Sequence, residues 1–485
     1  MATTQPKPKS PAGLEPNAGV KRAALIAAAA GLTAYAVDSG GTQVALPAMQ
    51  ASLGTTLAQN QWILNITMMT VAALVTLGGS LGDRLGRTRI LRLGALGMLA
   101  GAAVVLVTGL IASFPGVLIG RVLMGLGAAL ALPATTAMMI DVYAQQERGG
   151  ALGRMQSISM AATLAAPIIA GLVVQFLNWP WIYLMPVVAA AVTLWSLRRV
   201  SYTQHQVAQG RLDLAGAVLL FLAVVTIIFG FMTAATRGWT DPLTLGSLAI
   251  GLVFLVVFVA VELRKPAPLL EVRLLKIRNV GVGVFLGLMR FLPAVILGPF
   301  IPIFLQEVMG FPAAIVGFAV LPSTLTMVLL ASVGGKLLDR RGPRIPVPLS
   351  ALLMAAGMAL AALGYVRTNY WLLAIGMILQ GAGMAFSNTA QTAALAEVAP
   401  VQRGMVSGVF PLAGQFGNSL WLAVITALAT SLVTNALLAA GATAADFQPY
   451  FAQAMSTLSW IAAAVMVGVF LVTLLIRNPK PAPKA

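Results

Sequence analysis

The stretch Gly79–Leu91 reads GSLGDRLGRTRIL and connects two long apolar runs of the chain. Its one carboxylate, three arginines and three glycines are typical of a short polar turn between two membrane helices. The stretch Gly335–Gly342 reads GKLLDRRG and begins 256 residues further along. Both stretches match the pattern G-x-L-x-D-R-x-G. A motif repeated at a large offset indicates a chain built from two related halves.

The composition is that of a membrane protein. Of 485 residues, 59% are hydrophobic and 9% are charged, and the mean hydropathy is +0.92. Soluble domains carry about 25% charged residues, so this chain cannot cover its whole surface with charge. The chain has no cysteine, which excludes disulfides and thiolate metal sites. We expect no metal and no cofactor, and the single histidine, His205, is interpreted as a surface residue.

The apolar residues fall into fourteen segments, each close to or above the ~20 residues that a helix needs to cross the hydrocarbon. The sequence therefore predicts an all-α polytopic membrane protein whose partner is the lipid bilayer. The expected spans are 20–42, 60–81, 90–112, 116–140, 150–176, 180–197, 213–233, 244–263, 280–305, 314–335, 345–365, 370–394, 404–434 and 455–476.

The basic residues indicate the orientation. A net charge of +17 would suggest a nucleic-acid partner in a soluble protein. Here, however, nearly all of the 30 basic residues fall in loops on one side of the predicted membrane. The exceptions are Arg237 and Arg367 on the other side, and Arg121 and Arg290 within apolar segments. Because positive loops stay cytoplasmic, we expect an inner (plasma) membrane protein with both termini in the cytoplasm and no bound nucleic acid.

The internal repeat sets the predicted domains. Arg121–Gly127 (RVLMGLG) aligns with Met377–Gly383 (MILQGAG), again at an offset of 256 residues, and Arg148–Gly153 aligns with Arg403–Gly408 at 255. The apolar segments at 213–233 and 244–263 have no counterpart and indicate an inserted pair. The predicted divisions are a disordered cytoplasmic tail (1–20), an N-terminal six-helix bundle (21–200), the inserted pair with its flanking loops (201–279), a C-terminal six-helix bundle (280–477) and a second cytoplasmic tail (478–485).

Six, two and six helices with these motifs resemble the major facilitator superfamily, and within it the fourteen-helix drug:proton antiporter branch. Gly79–Arg87 is similar to the superfamily signature G-x-L-x-D-R-x-G-R. Asn178–Pro186 (NWPWIYLMP) and Asp213–Gly216 (DLAG) are similar to the starts of two helices in that branch. The resemblance implies a monomeric, proton-coupled transporter that exports hydrophobic or amphipathic small molecules, the property behind multidrug efflux and drug resistance.

Small residues and one proline are expected to shape the helix contacts. The branch's fifth-helix pattern G-x8-G-x3-G-P-x2-G-G is present with three of its glycines replaced by alanine. Small residues let membrane helices approach closely, and a proline kinks a helix by removing a hydrogen bond. The residues predicted to serve packing or kinking are Gly125, Gly127, Gly153, Pro167 and Gly171.

Asp38 lies well inside the first predicted helix, where a charged group costs on the order of 2.5–3.5 kcal/mol on insertion scales. It should therefore face a cavity or a partner. The resemblance implies that Asp38 and Arg121 couple transport to protons. The alternatives are a structural aspartate bonded to a neighbouring helix and an arginine that ties helices together through backbone carbonyls.

Arg290 is a third charged residue inside a predicted span. The repeat places it about one helical turn from the level of Asp38. It could pair with Asp38, bind an anionic part of a substrate, or extend along its helix to the membrane surface. Glu307 and Glu397 lie near helix ends and are not expected to be core proton carriers.

The two copies of the repeated motif are predicted to gate the cytoplasmic side. A carboxylate suits the positive N-terminus of a facing helix, and the resemblance implies a gating role. The alternative, a loop that only sets the topology, explains the arginines but not the glycines or the aspartate. The predicted gate residues are Gly79, Asp83, Arg84, Gly86, Arg87, Gly335, Asp339, Arg340 and Gly342.

The sequence contains neither a G-x-x-x-x-G-K-[ST] phosphate loop nor an H-E-x-x-H helix. Direct use of ATP and membrane enzymology are therefore disfavoured. Two other hypotheses remain open: a transporter of a specific lipid or metabolite, for which Arg290 would bind a head group, and a non-transporting receptor or scaffold on the same fold.

Overall fold

The computed structural model describes residues 17–144, 147–201, 213–265, 272–398, 403–441 and 447–477. These residues form helices joined by short turns, without a strand. The α-helices are α1 (Ala18–Leu53), α2 (Leu57–Leu85), α3 (Arg87–Leu110), α4 (Phe114–Val142), α5 (Arg148–Phe176), α6 (Leu184–Leu197), α7 (Leu214–Arg237), α8 (Pro242–Arg264), α9 (Arg278–Met289), α10 (Phe291–Leu297), α11 (Phe300–Ile303), α12 (Ala313–Ala319), α13 (Leu321–Arg341), α14 (Pro346–Val366), α15 (Tyr370–Ser387), α16 (Thr389–Glu397), α17 (Arg403–Ala440) and α18 (Phe447–Thr473).

Fourteen spans of the described chain are long and apolar enough to cross a membrane, which confirms the predicted all-α membrane architecture. Most spans are single helices. The ninth joins α9, α10, α11 and a π-helical turn (Phe304–Val308), the tenth joins α12 and α13, and the twelfth joins α15 and α16. The predicted tail at 1–20 falls mostly outside the described residues, as does the tail at 478–485. Because α1 begins at Ala18, the expectation of disorder was wrong for residues 18–20.

Helix α1 continues to Leu53, well beyond the predicted limit at residue 42. Its second half contains several polar residues, which lower the hydropathy without ending the helix. The helix ends where Gly54 takes a left-handed conformation at φ 61°, and α2 begins with a capping box between Thr56 and Gln59. Hydropathy therefore located the apolar part of this helix, and the capping residues locate its end.

Small residues let neighbouring helices of the first half approach closely. A Cβ atom on Gly97 would lie 2.9 Å from the Cα of Gly127, across the contact between α3 and α4. A Cβ on Gly125 would lie 2.7 Å from the Cβ of Thr70 in α2. Any larger residue at these positions would force the helices apart, as expected where van der Waals packing drives helix association.

We call the end of the molecule that carries the Gly86 turn between α2 and α3 the loop end, and the end that carries Gly54 the far end. The two halves meet near the far end. A Cβ on Gly317 would lie 3.0 Å from the Cα of Ile168, so α12 lies directly against α5. Gln306 Nε2 donates to the Val44 carbonyl across 3.1 Å and joins the ninth span to α1.

The halves are apart at the loop end between α5 and α13. A Cβ built on Gly153 or on Gly335 would meet no atom within 4 Å. The only buried residue of α13 among those described is Gly334. Gly153 thus makes no close helix contact in this conformation, and its packing role remains a prediction. The structure is closed at the far end and open here at the loop end.

The inserted helices α7 and α8 pack against each other, and α7 also lies against α2 and α17. Trp239, in the turn after α7, donates from Nε1 to Ser431 Oγ of α17 across 3.1 Å. The pair thus covers the seam where α2 of the first half meets α17 of the second. That it carries no coupling residue remains a prediction.

Candidate functional site

The structure pairs Asp38 of α1 with Arg121 of α4. Arg121 Nη1 contacts Asp38 Oδ1 in a short ion pair. Asp38 is 3% exposed and Arg121 is 1% exposed, so the pair is sealed from solvent within the first half. Of the two partners that the sequence allowed for Asp38, the structure selects Arg121.

Backbone contacts fix the position of Arg121. Its Nε donates to the Ile63 carbonyl of α2 across 2.7 Å, and its own carbonyl accepts from Thr67 Oγ1 at 3.0 Å. A guanidinium presents several donors in one plane, so Arg121 binds α1 through a charge and α2 through a backbone oxygen. The predicted alternative of an arginine that ties helices through carbonyls is therefore also part of the geometry.

Two residues that the sequence analysis did not assign complete the surroundings of Asp38. Thr42 Oγ1 donates to Asp38 Oδ1 at 3.3 Å and lies 3.2 Å from the Tyr183 hydroxyl. Thr42 follows Asp38 by one helical turn, a spacing that places both on one face. Tyr183 ends a 3-10 turn (Trp179–Tyr183) that is initiated by the Asn178 cap. The available signals were this spacing and the aromatic motif at 178–186.

The second carboxylate oxygen of Asp38 has no partner. Oδ2 is buried and accepts no hydrogen bond from any described residue. A buried acceptor without a donor costs free energy unless it is protonated or binds water. One oxygen of Asp38 is thus held by Arg121 and Thr42, while the other is the available site for a proton.

Tyr35 links this site to the second half of the molecule. It precedes Asp38 by nearly one turn of α1, and its side chain lies close to that of Gln415 in α17. Close by, Asn418 Nδ2 of α17 lies 3.5 Å from the sulfur of Met68 in α2. The first helix therefore carries both the buried carboxylate and a polar contact that crosses between the halves.

Arg290 does not pair with Asp38. It lies at the junction of α9 and α10, where Nη1 donates to Ser387 Oγ at 3.1 Å and to Asn388 Oδ1 at 2.6 Å. Its guanidinium lies 5.1 Å from the centre of the Phe291 ring. Its Nε is buried without a hydrogen-bond partner among the described residues. Arg290 is thus a cation with neutral neighbours and one unused donor.

The first copy of the repeated motif forms an ion network within its own half. Arg87, at the start of α3, donates to Asp83 Oδ1 at 3.1 Å, to Asp141 Oδ1 at 2.5 Å and to the Ala137 carbonyl at 2.8 Å. Gly86 makes the turn at φ 106°, a conformation that other residues rarely adopt. Asp141, at the end of α4, was not identified from the sequence.

Within the described residues, the Asp83 carboxylate bonds only Arg87. It does not reach the second half in this conformation, in which the loop end is open. Arg84 lies in the last turn of α2, and a Cβ built on Gly79 would lie 3.6 Å from the Cβ of Pro133, an ordinary van der Waals distance.

Among the described residues, the second copy of the motif forms no ion network. Gly342 makes the turn at φ 69°, as Gly86 does in the first copy. Asp339 and Arg340 are exposed and form no ion pair with the described residues. Two copies of one sequence pattern therefore have different surroundings.

The described residues contain no group of acidic or histidine side chains that could hold a metal ion.

Comparison with known proteins identifies the family. The family model described as "Major Facilitator Superfamily" matches residues 28–289 and 283–485, which is nearly the whole chain. The chain belongs to the major facilitator superfamily. It is therefore a multi-pass membrane protein of a transporter family, and small molecules are the class of substrate.

Several relatives of this superfamily member are resistance proteins. The "Tetracenomycin C resistance and export protein" of Streptomyces glaucescens is 31% identical over 84% of this chain and 76% of its own length. The "Puromycin resistance protein pur8" of Streptomyces alboniger is 30% identical over 90% of this chain and 86% of its own. "Multidrug resistance protein 3" of Bacillus subtilis is 24% identical, with coverage of 84% and 79%.

Solved structures share the fold of this superfamily member. An auto-inhibited peptide transporter of the POT family has a TM-score of 0.66 at 19% identity and covers 96% of this chain and 99% of its own. A bacterial homologue of the human lysosomal transporter Spinster, in an inward-facing and unoccupied conformation, has a TM-score of 0.65 at 16% identity, with coverage of 95% and 98%. At these identities the likeness concerns the fold alone.

Proposed function

We propose that the chain is a proton-coupled secondary transporter that exports hydrophobic or amphipathic small molecules by alternating access of its two halves, and that it is not an enzyme. The observation that carries this proposal is the buried ion pair of Asp38 and Arg121, with one carboxylate oxygen left unpartnered. Export is supported by relatives of similar length whose names describe resistance and export.

Protonation of Asp38 would change the energy of the site. While Asp38 is ionised, Arg121 has a charged partner. When Asp38 takes a proton, the guanidinium keeps only dipoles, such as the Ile63 carbonyl, around it. An uncompensated charge away from water is strongly unfavourable, so the protonated site favours another arrangement of α1 and α4.

A shift of α1 would be transmitted to the second half. The same helix carries Tyr35, which contacts Gln415, and the Val44 carbonyl, which accepts from Gln306. Both contacts cross between the halves. A change in the position of α1 therefore alters the balance between a state closed at the far end and a state closed at the loop end.

The described conformation corresponds to one state of the proposed transport cycle. The loop end is open between α5 and α13, and the Asp38–Arg121 pair is formed. We assign it to the state that has released its proton and awaits cargo. The basic loops support a cytoplasmic loop end. We propose that both termini lie there, that the protein resides in the inner (plasma) membrane, and that it acts as a monomer.

Arg290 is proposed to contact the cargo. Its neighbours Ser387 and Asn388 are neutral, and its Nε is unused. Burial of a donor without a partner is unfavourable, so a cargo that offers an acceptor oxygen would gain a charge-assisted hydrogen bond there. The aromatic ring of Phe291 beside it offers an apolar surface.

The test uses purified protein in liposomes with an acidic lumen. Puromycin and tetracenomycin C, named for two relatives, are the first cargoes, and ethidium serves as a general amphipathic cargo. We expect accumulation in the lumen that collapses when nigericin dissipates the pH gradient. Accumulation that survives nigericin would overturn the proton coupling. The absence of flux for every cargo tried, from protein that still unfolds cooperatively, would overturn the export.

A further inference from the structure

A cavity lies at the far end, away from the Asp38 site, and has a volume of about 910 Å³. Its walls come from the turn between α1 and α2, the end of α7, α11 with the π-helical turn, the end of α17 and the start of α18. The lining residues are Pro47, Gln50, Ala51, Gly54, Thr55, Thr56, Gln59, Ala235, Thr236, Ile303, Glu307, Thr430, Val433, Thr434, Leu437, Phe447 and Gln448.

The cavity has one charged lining residue, Glu307, and it is negative. Its carboxylate forms no hydrogen bond or ion pair with the described residues, and the residue is exposed. Glu307 belongs to the π-helical turn. Such turns are rare and occur frequently at functional sites. An isolated carboxylate in a concave wall is a feature that the helical fold does not require.

The remaining walls combine neutral polar and apolar side chains. The buried hydroxyl oxygens of Thr55 and Thr430 have no hydrogen-bond partner among the described residues. Ile303, Leu437 and Phe447 supply apolar surface. Ligand pockets for small organic molecules have volumes of about 300–1,000 Å³ and combine apolar walls with a few polar groups, a description that this cavity fits.

We propose that the far-end cavity is a binding site for amphipathic organic cations, separate from the Asp38 site, with Glu307 as the residue that selects positive charge. A cation would pair with Glu307 while its apolar groups contact Ile303, Leu437 and Phe447. An anion of the same shape would meet an unneutralised carboxylate, so the site discriminates by repulsion as well as attraction.

The site depends on the conformation of the protein. Its walls come from α1 and α2 of the first half, from α11, α17 and α18 of the second, and from the inserted α7. Opening of the far end would separate these walls. A cation bound there therefore favours the state closed at the far end. Cation added on that side slows the transport of a saturating cargo.

The experiment measures equilibrium binding to the full-length protein in detergent, without a gradient, so it does not depend on the proposed export. The probes are tetraphenylphosphonium and tetraphenylborate, which have the same shape and opposite charge. We expect the cation to bind, and Glu307→Gln to weaken its binding by about three- to five-fold, the range of a solvent-accessible charge pair. The borate should bind more weakly than the cation in the wild type, and Glu307→Gln should reduce that preference.

Two further variants make the outcome specific. Glu307→Gln with Gln448→Glu returns a carboxylate to another wall of the cavity and should restore cation binding. Thr240→Lys adds the same unit of positive charge at the far end outside the cavity, in an exposed turn, and should leave binding unchanged. Equal cation affinity in the wild type and Glu307→Gln overturns the proposal, as does an equal loss in Thr240→Lys.

Discussion

The two halves of the molecule share a helical plan but differ in their buried charges. At the repeat offset of 256 residues, Asp38 and Arg121 of the first half correspond to Ala294 and Met377 of the second. Met377 is buried, as Arg121 is, so an apolar side chain occupies the equivalent place without disrupting the helices around it. A buried ion pair is weak evidence for stability. The comparison therefore supports the functional role proposed for the pair in the first half.

The repeated motif shows the same asymmetry at the loop end. Arg87, which binds Asp83 and Asp141 in the first half, corresponds to Pro343 in the second, which offers no donor. Asp141 corresponds to Glu397, which instead accepts from the backbone N–H of Asn279 at 3.1 Å. Both copies have the glycine turn, but only the first has the ion network. The turn is therefore a shared feature of the two halves, whereas the network is specific to the first half.

The largest effect is expected from removal of the buried carboxylate. Asp38→Asn imitates the protonated site permanently, so it should abolish accumulation driven by a pH gradient while cargo exchange without a gradient remains measurable. The measurement is flux into liposomes with and without a gradient, across a range of pH. Asp339→Asn, in the second copy of the motif, is the matched control and should keep gradient-driven flux. Full uphill transport by Asp38→Asn would end this mechanism and direct attention to other carboxylates.

The sequence alone predicted the membrane spans and the charged residues within them, because hydropathy and charge are local properties of the chain. Fourteen apolar spans follow from hydropathy. The carboxylate of Asp38 lies inside one of them, where a charge is unfavourable unless it has a partner or faces a cavity. The choice between Arg121 and Arg290 could not be made, since it depends on which helices neighbour α1. The structure places α4 there, and the repeat, which aligns positions rather than contacts, carried no such information.

Other features depend on tertiary contacts that no periodicity reveals. Asp141 meets Arg87 only because α4 ends beside the start of α3. The hydroxyl of Tyr183 lies beside that of Thr42, although the two residues belong to different helices. The cavity around Glu307 is formed by five separate parts of the chain, so the sequence locates Glu307 at a helix end and does not reveal the cavity. Small residues suit both a packed helix face and an uncovered one, so the sequence could not show that the face of α5 at Gly153 is uncovered in this conformation.

The second largest effect is expected for the stability of the first half. Arg121→Met copies the residue of the second half but leaves Asp38 buried without its cation. Breaking one side of a buried pair costs about 3–5 kcal/mol, so the melting temperature in detergent should fall sharply. Adding Asp38→Ala, which copies Ala294, should recover most of the loss. If the single and double variants are equally unstable, the second half is not a valid guide to the first.

A smaller effect is expected at the loop end. Asp83→Asn removes one partner of Arg87 and the charge proposed to meet a helix N-terminus when the loop end closes. A contact of this kind is worth about 1 kcal/mol, which corresponds to a roughly five-fold lower turnover. Asp339→Asn, which has no ion pair to lose, should change turnover by less than about two-fold. Turnover measured in liposomes would refute the asymmetry if both variants behaved alike.

The smallest effect concerns a surface pair that the second half also lacks. Lys21 Nζ lies 2.6 Å from Glu147 Oε2 and ties α1 to the start of α5, whereas the residue corresponding to Lys21 is Ile277. The hydrogen bond from Lys21 lowers the pKa of the Glu147 carboxyl below its usual 4.5. A lowered pKa means that the pair stabilises the folded state above pH 4.5 and that this contribution is lost as the pH falls through the lowered value.

Glu147→Gln should therefore lower the melting temperature slightly at pH 7, and the difference from the wild type should persist to about pH 5 and vanish under more acidic conditions. Because both proteins share every other titrating group, the comparison isolates this pair. Lys21→Gln should give at least the same small loss, because it also removes the contact of Lys21 Nζ with the Tyr143 ring at 5.8 Å. The double variant should lose no more than Lys21→Gln alone, since Glu147 then has no ion pair left to lose. Added salt should shrink the loss, as it does for exposed charges. A difference that grew on acidification, or that salt left unchanged, would mean that Glu147 stabilises the base of α5 through something other than its charge.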